Sequence, residues 1–152
     1  MLRAFLFLLV LSTSVVAESQ AQTAQPLART TIFGQLGGDG LALSLNVDYM
    51  VTPEINVRTG ISTIVFASGV PLIVSYHLGA AQHRFEVGAG AFALTSIDDN
   101  DRAVWGLVHA GYRYHPRVKQ WLFRAGLAVV YDGTDVLPLP GVSIGRGLRL
   151  GL

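Results

Sequence analysis

Ser75, His77 and His109 are the side chains best suited to nucleophilic chemistry, because an imidazole beside a hydroxyl can act as its base. Ser75 and His77 stand two apart and so share one face of an extended strand. Only Glu86 falls in a register that would orient either histidine. A Ser-x-His spacing recurs by chance, and a triad is recognised by its geometry. No catalytic residue is assigned, and the chain is read as not an enzyme. The run Asp98-Asp99-Asn100-Asp101 offers oxygen ligands but lacks the glycine and distal glutamate of a calcium loop. With Asp39, Asp132 and Asp135 it reads as a solvated acidic rim, the alternative being cations that bridge lipopolysaccharide. Gly34 to Gly40 holds several glycines, but no Lys-Ser/Thr or helical pattern follows, so it is a hairpin turn and not a phosphate loop. The chain has no cysteine, hence no thiolate ligand and no disulfide. No metal site and no cofactor is expected.

A second constellation is ionic. Asp48, Arg58, His77, Glu86, Arg113 and Arg124 all fall on the polar side of an alternating pattern. A hairpin turning at Pro53 sets Asp48 across from Arg58, and one turning at Ala80-Ala81 sets His77 across from Glu86. Arg113, on the following strand, approaches Glu86 from the side. Charges held away from water persist when paired and hydrogen-bonded. The six are expected to form a salt-bridged lumen network with a structural role. A narrow ion pathway is the functional alternative, disfavoured because about eight strands leave a barrel interior only wide enough for side chains.

The elements that must carry these residues are strands. Leu41, Leu43, Leu45, Val47 and Tyr49 alternate with Ala42, Ser44, Asn46 and Asp48, and later segments around Val57, Val74, Val87, Val108, Leu127 and Val142 repeat the pattern. Turn residues interrupt the pattern at short intervals, which gives about eight antiparallel strands of roughly 8–12 residues in up-and-down order. The two faces differ in kind. One is almost purely aliphatic and aromatic, as hydrocarbon demands; the other is mostly Gly, Ala, Ser and Asn with one or two charges per strand. Tyr49, Tyr76, Tyr112, Tyr114, Trp121 and Phe123 lie on the apolar face beside the turns at 52–54, 79–83 and 116–120, and read as an aromatic girdle at the periplasmic rim. Phe66, Phe92, Trp105 and Tyr131 are candidates for the opposite rim.

Composition agrees. Of 152 residues, 51% are hydrophobic and only 14% charged, with a net charge of +1, which excludes a disordered chain and gives no footprint for nucleic acid. Arg3, the apolar stretch Ala4 to Val10 and the small residues near Ala17 and Ala21 have the form of a secretory signal over 1–21. A mobile leader over 22–29 and a barrel domain over 30–152 are expected to follow.

In LALSLNVDYMVTPEINVRTGIS (41–62), VPLIVSYHLG (70–79), RFEVGAGAF (84–92), GYRYHP (111–116), WLFRAGLAVV (121–130) and LPGVSIGRGL (139–148), the chain resembles the small eight-stranded outer-membrane barrels of Gram-negative bacteria, most closely the uncharacterised Bacteroidota type. Such barrels end in an aromatic residue, whereas this chain ends Arg149-Leu150-Gly151-Leu152. The resemblance implies an integral protein of the cell outer membrane; lipid is then its expected partner, the charge balance speaks against nucleic acid, and a monomer is the expected state, with protein partners left open. The whole reading is an eight-stranded antiparallel up-and-down transmembrane β-barrel preceded by a signal peptide, structural or interactive in role. The rival is a soluble periplasmic or secreted β-barrel that binds an apolar small molecule, with aliphatics inside and polar residues outside.

Overall fold

The structure, a computed structural model, describes residues 29–64, 67–79, 82–96, 102–116 and 120–148. The expected signal and all but the last residue of the leader, the acidic run 98–101, Phe66, the hairpin tip at 80–81 and the C-terminal four residues lie outside the described residues.

Alternation from Thr30 onward produces eight strands: β1 (Thr30–Gly37), β2 (Leu43–Met50), β3 (Ile55–Ile64), β4 (Ala67–Leu78), β5 (His83–Ser96), β6 (Arg102–Tyr114), β7 (Trp121–Tyr131) and β8 (Val136–Leu148). Each pairs antiparallel with the next, and β1 pairs with β8, so the sheet closes into an up-and-down barrel without an intervening crossover. Period two decides which way each side chain faces. Leu43, Val74 and Leu127 point outward and are 53%, 52% and 48% exposed, whereas Arg58 and Glu86 point inward at 0% and 1%. On β1, whose facing the alternation leaves unassigned, Thr31, Phe33 and Gln35 face in and Ile32 and Leu36 face out.

The strands are unequal, and this positions the site. β1 and β2 have 8 residues each, and their ladder stops at Leu36↔Leu43, while β4 and β5 remain paired up to Ala67↔Ser96. Between β1 and β2 a single 3-10 turn, Gly38–Gly40, folds inward. Gly37 and Gly38 take φ values of 69° and 63°, a left-handed conformation that costs glycine little. Gly141 of β8 leaves room for the turn, since a Cβ there would lie 2.6 Å from the Gly38 nitrogen. Asp39 at the tip is thus buried in the barrel, which corrects its assignment to a solvated rim.

Leu41 is a second correction. With φ 59° it leaves the outward row that the alternation gave it, and it packs inside with Ile73, Phe92, Leu94, Leu107 and Val130. The interior is accordingly not uniformly small and polar: an apolar layer fills the end of the lumen away from the girdle. Of the aromatics expected at that far rim, Phe92 belongs to this layer, Trp105 packs half-buried against it, and Tyr131 alone of the described ones points outward, 50% exposed. The upper part of β8, residues 136–140, pairs with β7 but not with β1. Pro138 and Pro140 remove backbone donors there and blunt an unpaired edge.

Candidate functional site in the barrel lumen

Hairpin register brings the first pairs together. Asp48 is directly opposite Arg58, His77 opposite Glu86, and Arg113 opposite Arg124. Arg58 is the hub. Its Nε donates to Asp48 Oδ1 at 2.7 Å, its Nη2 to Glu86 Oε1 at 2.6 Å, and its Nη1 to Asp39 Oδ2. Arg113 Nη1 donates to Asp48 Oδ2 at 2.8 Å and lies 3.8 Å from Glu86 Oε2. Arg124 Nη2 donates to Glu86 Oε1 at 3.0 Å and to Asp39 Oδ2 at 3.3 Å. Gln35 completes the frame, its Nε2 donating to Asp39 Oδ1 and its Oε1 accepting from Arg124 at 3.4 Å. The Phe33 ring lies 5.1 Å from the Arg58 guanidinium carbon and 5.3 Å from that of Arg124, a cation–π floor for both.

Three arginines thus meet three carboxylates, so the cluster is neutral as a whole. Asp39 is the member that sequence reasoning missed; the available signal was a lone acid within the glycine run at 37–40. His77 is enclosed but weakly engaged: its Nδ1 is 3.8 Å from Glu86 Oε2, and neither ring nitrogen makes a hydrogen bond.

Ser75 Oγ and His109 Nε2 are 2.9 Å apart, and His109 Nδ1 is 3.4 Å from Asp39 Oδ2. The connectivity is that of a nucleophile, a base and an orienting acid, with Asp39 taking the place that Glu86 alone offered in the sequence. Substrate access is the missing component. Ser75 is 1% exposed, and the cavity beside His109 and Asp39 measures about 10 Å³, room for one water. Asp39, Glu86 and His109 also bring ligand atoms within 4.8 Å of one another, a spacing that suits a metal. Arg58 and Arg124 already donate to both carboxylates, and these guanidiniums fill the cationic position of the cluster.

The six aromatics of the expected girdle all lie toward the rim bearing the β2–β3, β4–β5 and β6–β7 turns. Tyr49, Tyr76, Tyr112, Trp121 and Phe123 are between 39% and 50% exposed, and Tyr114 is half-buried. His83 joins them, its Nδ1 hydrogen-bonded to the Tyr112 hydroxyl and its ring 4.9 Å from that of Tyr114.

No protein-family model matches the chain, and no curated protein matches its sequence. Two solved structures share its architecture. The crystal structure of the N-terminal β-barrel domain of Pseudomonas aeruginosa OprF aligns over 77% of this chain and 93% of its own, with a TM-score of 0.62 and 18% identity. The solution structure of the de novo designed TMB2.3 aligns over 80% of this chain and 95% of its own, with a TM-score of 0.55 and 13% identity. The fold is a closed, eight-stranded antiparallel barrel of the OprF type.

Proposed function

We propose that the protein is an integral barrel of the Gram-negative outer membrane, with lipid around its wall, a structural or interaction role and no enzymatic activity. The observation that carries this is the inversion of polarity across the wall. Ile61, Leu72, Phe85 and Val104 face outward and are 60–73% exposed, while the charges of Asp48, Arg58 and Glu86 are enclosed. A soluble barrel holding an apolar ligand requires the opposite arrangement. Closure supports the same reading, since in hydrocarbon each unpaired backbone group costs several kcal/mol. The fold likeness to the OprF barrel domain supports a membrane barrel in general terms. The narrower likeness to Bacteroidota barrels rests on the sequence stretches, and the periplasmic orientation of the girdle on the even strand number, which brings both ends of the barrel to that rim.

The lumen reads as sealed twice. The neutral ion network leaves no unpaired charge to attract an ion, and the layer of Leu41, Phe92, Leu107 and Val130 above it opposes wetting. Fractionation tests the proposal. The protein is expected to stay with envelopes through carbonate and salt washes, to require detergent, and to shift in SDS gel mobility on boiling. Release by salt, or a monodisperse protein in plain buffer, refutes it.

A further inference from the structure

The outer wall carries a groove of about 840 Å³ that runs from β1, at Gly34, across β2, β3 and β4 to β5, in the half away from the girdle. Its cause is local. Pairing between β3 and β4 skips Gly60 and Ile61 opposite Val70 and Pro71, and Pro71 has no N–H to donate. Gly60 approaches β2 so closely that a Cβ would lie 2.4 Å from the Leu45 carbonyl oxygen. The inward residues behind the groove, Ser44, Ser62 and Gly69, are small, so the wall can lie closer to the barrel axis.

The groove has a polarity gradient. Leu43, Leu45, Ile61 and Val70 line it, each 49–65% exposed. At its far end the register places Thr63 beside Ser68, Ser68 beside Thr95, and Thr95 beside Arg102. Arg102 is exposed and lies on the outward face of β6. The next outward row toward the middle of the barrel is aliphatic, with Val70 beside Ala93 and Ala93 beside Val104. Three hydroxyl residues and one guanidinium therefore form a polar row over an apolar trough, at the strand ends away from the girdle, which the membrane reading sets beside lipid headgroups. Phosphate is a strong partner for a guanidinium, and branched aliphatics suit a hydrocarbon chain.

We propose that this groove holds one anionic amphiphile of the surrounding leaflet, its phosphorylated headgroup at Arg102 and the hydroxyl row, its acyl chain against Ile61 and Val70. This rests on the membrane reading above and adds a lipid class to it. The test is native mass spectrometry of the protein in mild non-ionic detergent, titrated with dimyristoyl phosphatidic acid or with dimyristoylglycerol. One phosphatidic acid per barrel is expected to be retained, about tenfold more tightly than the glycerolipid, the difference made by one charge-assisted contact. Arg102→Gln should erase that preference. Ala93→Trp, which fills the trough, should abolish retention of both lipids, while Val108→Trp on the outward face of β6 should leave retention intact. Equal loss from both tryptophan variants, no retained lipid, or an unchanged preference in Arg102→Gln overturns the proposal. So does a wild-type dimer that Ala93→Trp dissolves, because a second copy then covers the groove. The boiling shift on SDS gels separates the two failures: a normal shift without lipid retention overturns the groove alone.

Discussion

Replacing Arg58 by methionine removes the hub of the lumen network while keeping an unbranched stem over Phe33. Arg58 contacts Asp39, Asp48 and Glu86 at once and is fully buried, so its loss leaves three enclosed carboxylates with Arg113 and Arg124 as the remaining arginines of the cluster. The cluster then carries a net charge of −1, being two arginines against three acids. Deleting one partner of a buried pair costs about 3–5 kcal/mol, because the remaining charge is left without compensation. With a urea slope of about 2 kcal/mol per molar, the unfolding midpoint should fall by about 2 M. The assay is urea unfolding of the folded barrel in lipid vesicles, followed by tryptophan fluorescence and by the gel-mobility shift. A second substitution, Asp48→Asn, restores neutrality and should recover about half the loss, a coupling that the double-mutant cycle measures directly. A midpoint within 0.3 M of the wild type (on the order of 0.6 kcal/mol at that slope), or no recovery in the double variant, would refute the structural role of this network.

Gly141→Val places a Cβ 2.6–2.8 Å from the backbone of Gly37 and Gly38, where nothing flexible can yield, so the turn at 38–40 should be expelled. Stability should drop by about 1–3 kcal/mol, and limited proteolysis should newly cut at the turn; uncut protein of wild-type stability argues against the inward turn. Ser75→Ala should hydrolyse p-nitrophenyl esters no more slowly than the wild type, both at background, because the hydroxyl is sealed from substrate; wild-type activity lost in the variant contradicts the non-enzymatic reading. Asp132 accepts hydrogen bonds from the backbone N–H groups of Asp135 and Thr134 at 2.7 and 2.8 Å, which hold its carboxyl below the usual aspartate value of 3.8. A lowered folded value gives a contribution present above the ordinary pKa and lost as pH falls, so the β7–β8 turn should stay closed in mild acid and loosen only below pH 3.8, as carbon-detected NMR titration of Asp132 would show.

The architecture was legible wherever one face is apolar and the other is not. Leu43, Leu45 and Val47 against Ser44, Asn46 and Asp48 fix both the strand and its facing, and turns at Pro53 and near 80–81 fix the pairs Asp48–Arg58 and His77–Glu86. Alternation is silent where both faces are apolar. In Leu72-Ile73-Val74 and Leu107-Val108 the inward member looks like its neighbours, so the apolar layer of the lumen did not show. Asp39 escaped for a different reason. Left-handed backbone at Gly37, Gly38 and Leu41 takes the turn out of period two, and only the three-dimensional path brings its carboxylate to Arg58 and Arg124. The Ser75–His109 contact joins residues 34 apart on strands that are not neighbours, and it meets across the lumen rather than along the sheet.

The central claim is the direction in which the oily and the charged side chains face, and a chain without cysteine is well suited to its measurement. Single cysteines at Leu43, Val74 and Leu127, and at Asn46 as the inward control, can each carry a nitroxide in the barrel reconstituted in lipid vesicles. The three outward labels should relax strongly with oxygen, which partitions into hydrocarbon, and weakly with a water-soluble nickel chelate, while the label at Asn46 should respond poorly to both. Strong nickel-chelate relaxation at Leu43, Val74 and Leu127 would mean that this wall faces water, and the membrane barrel would be the wrong description.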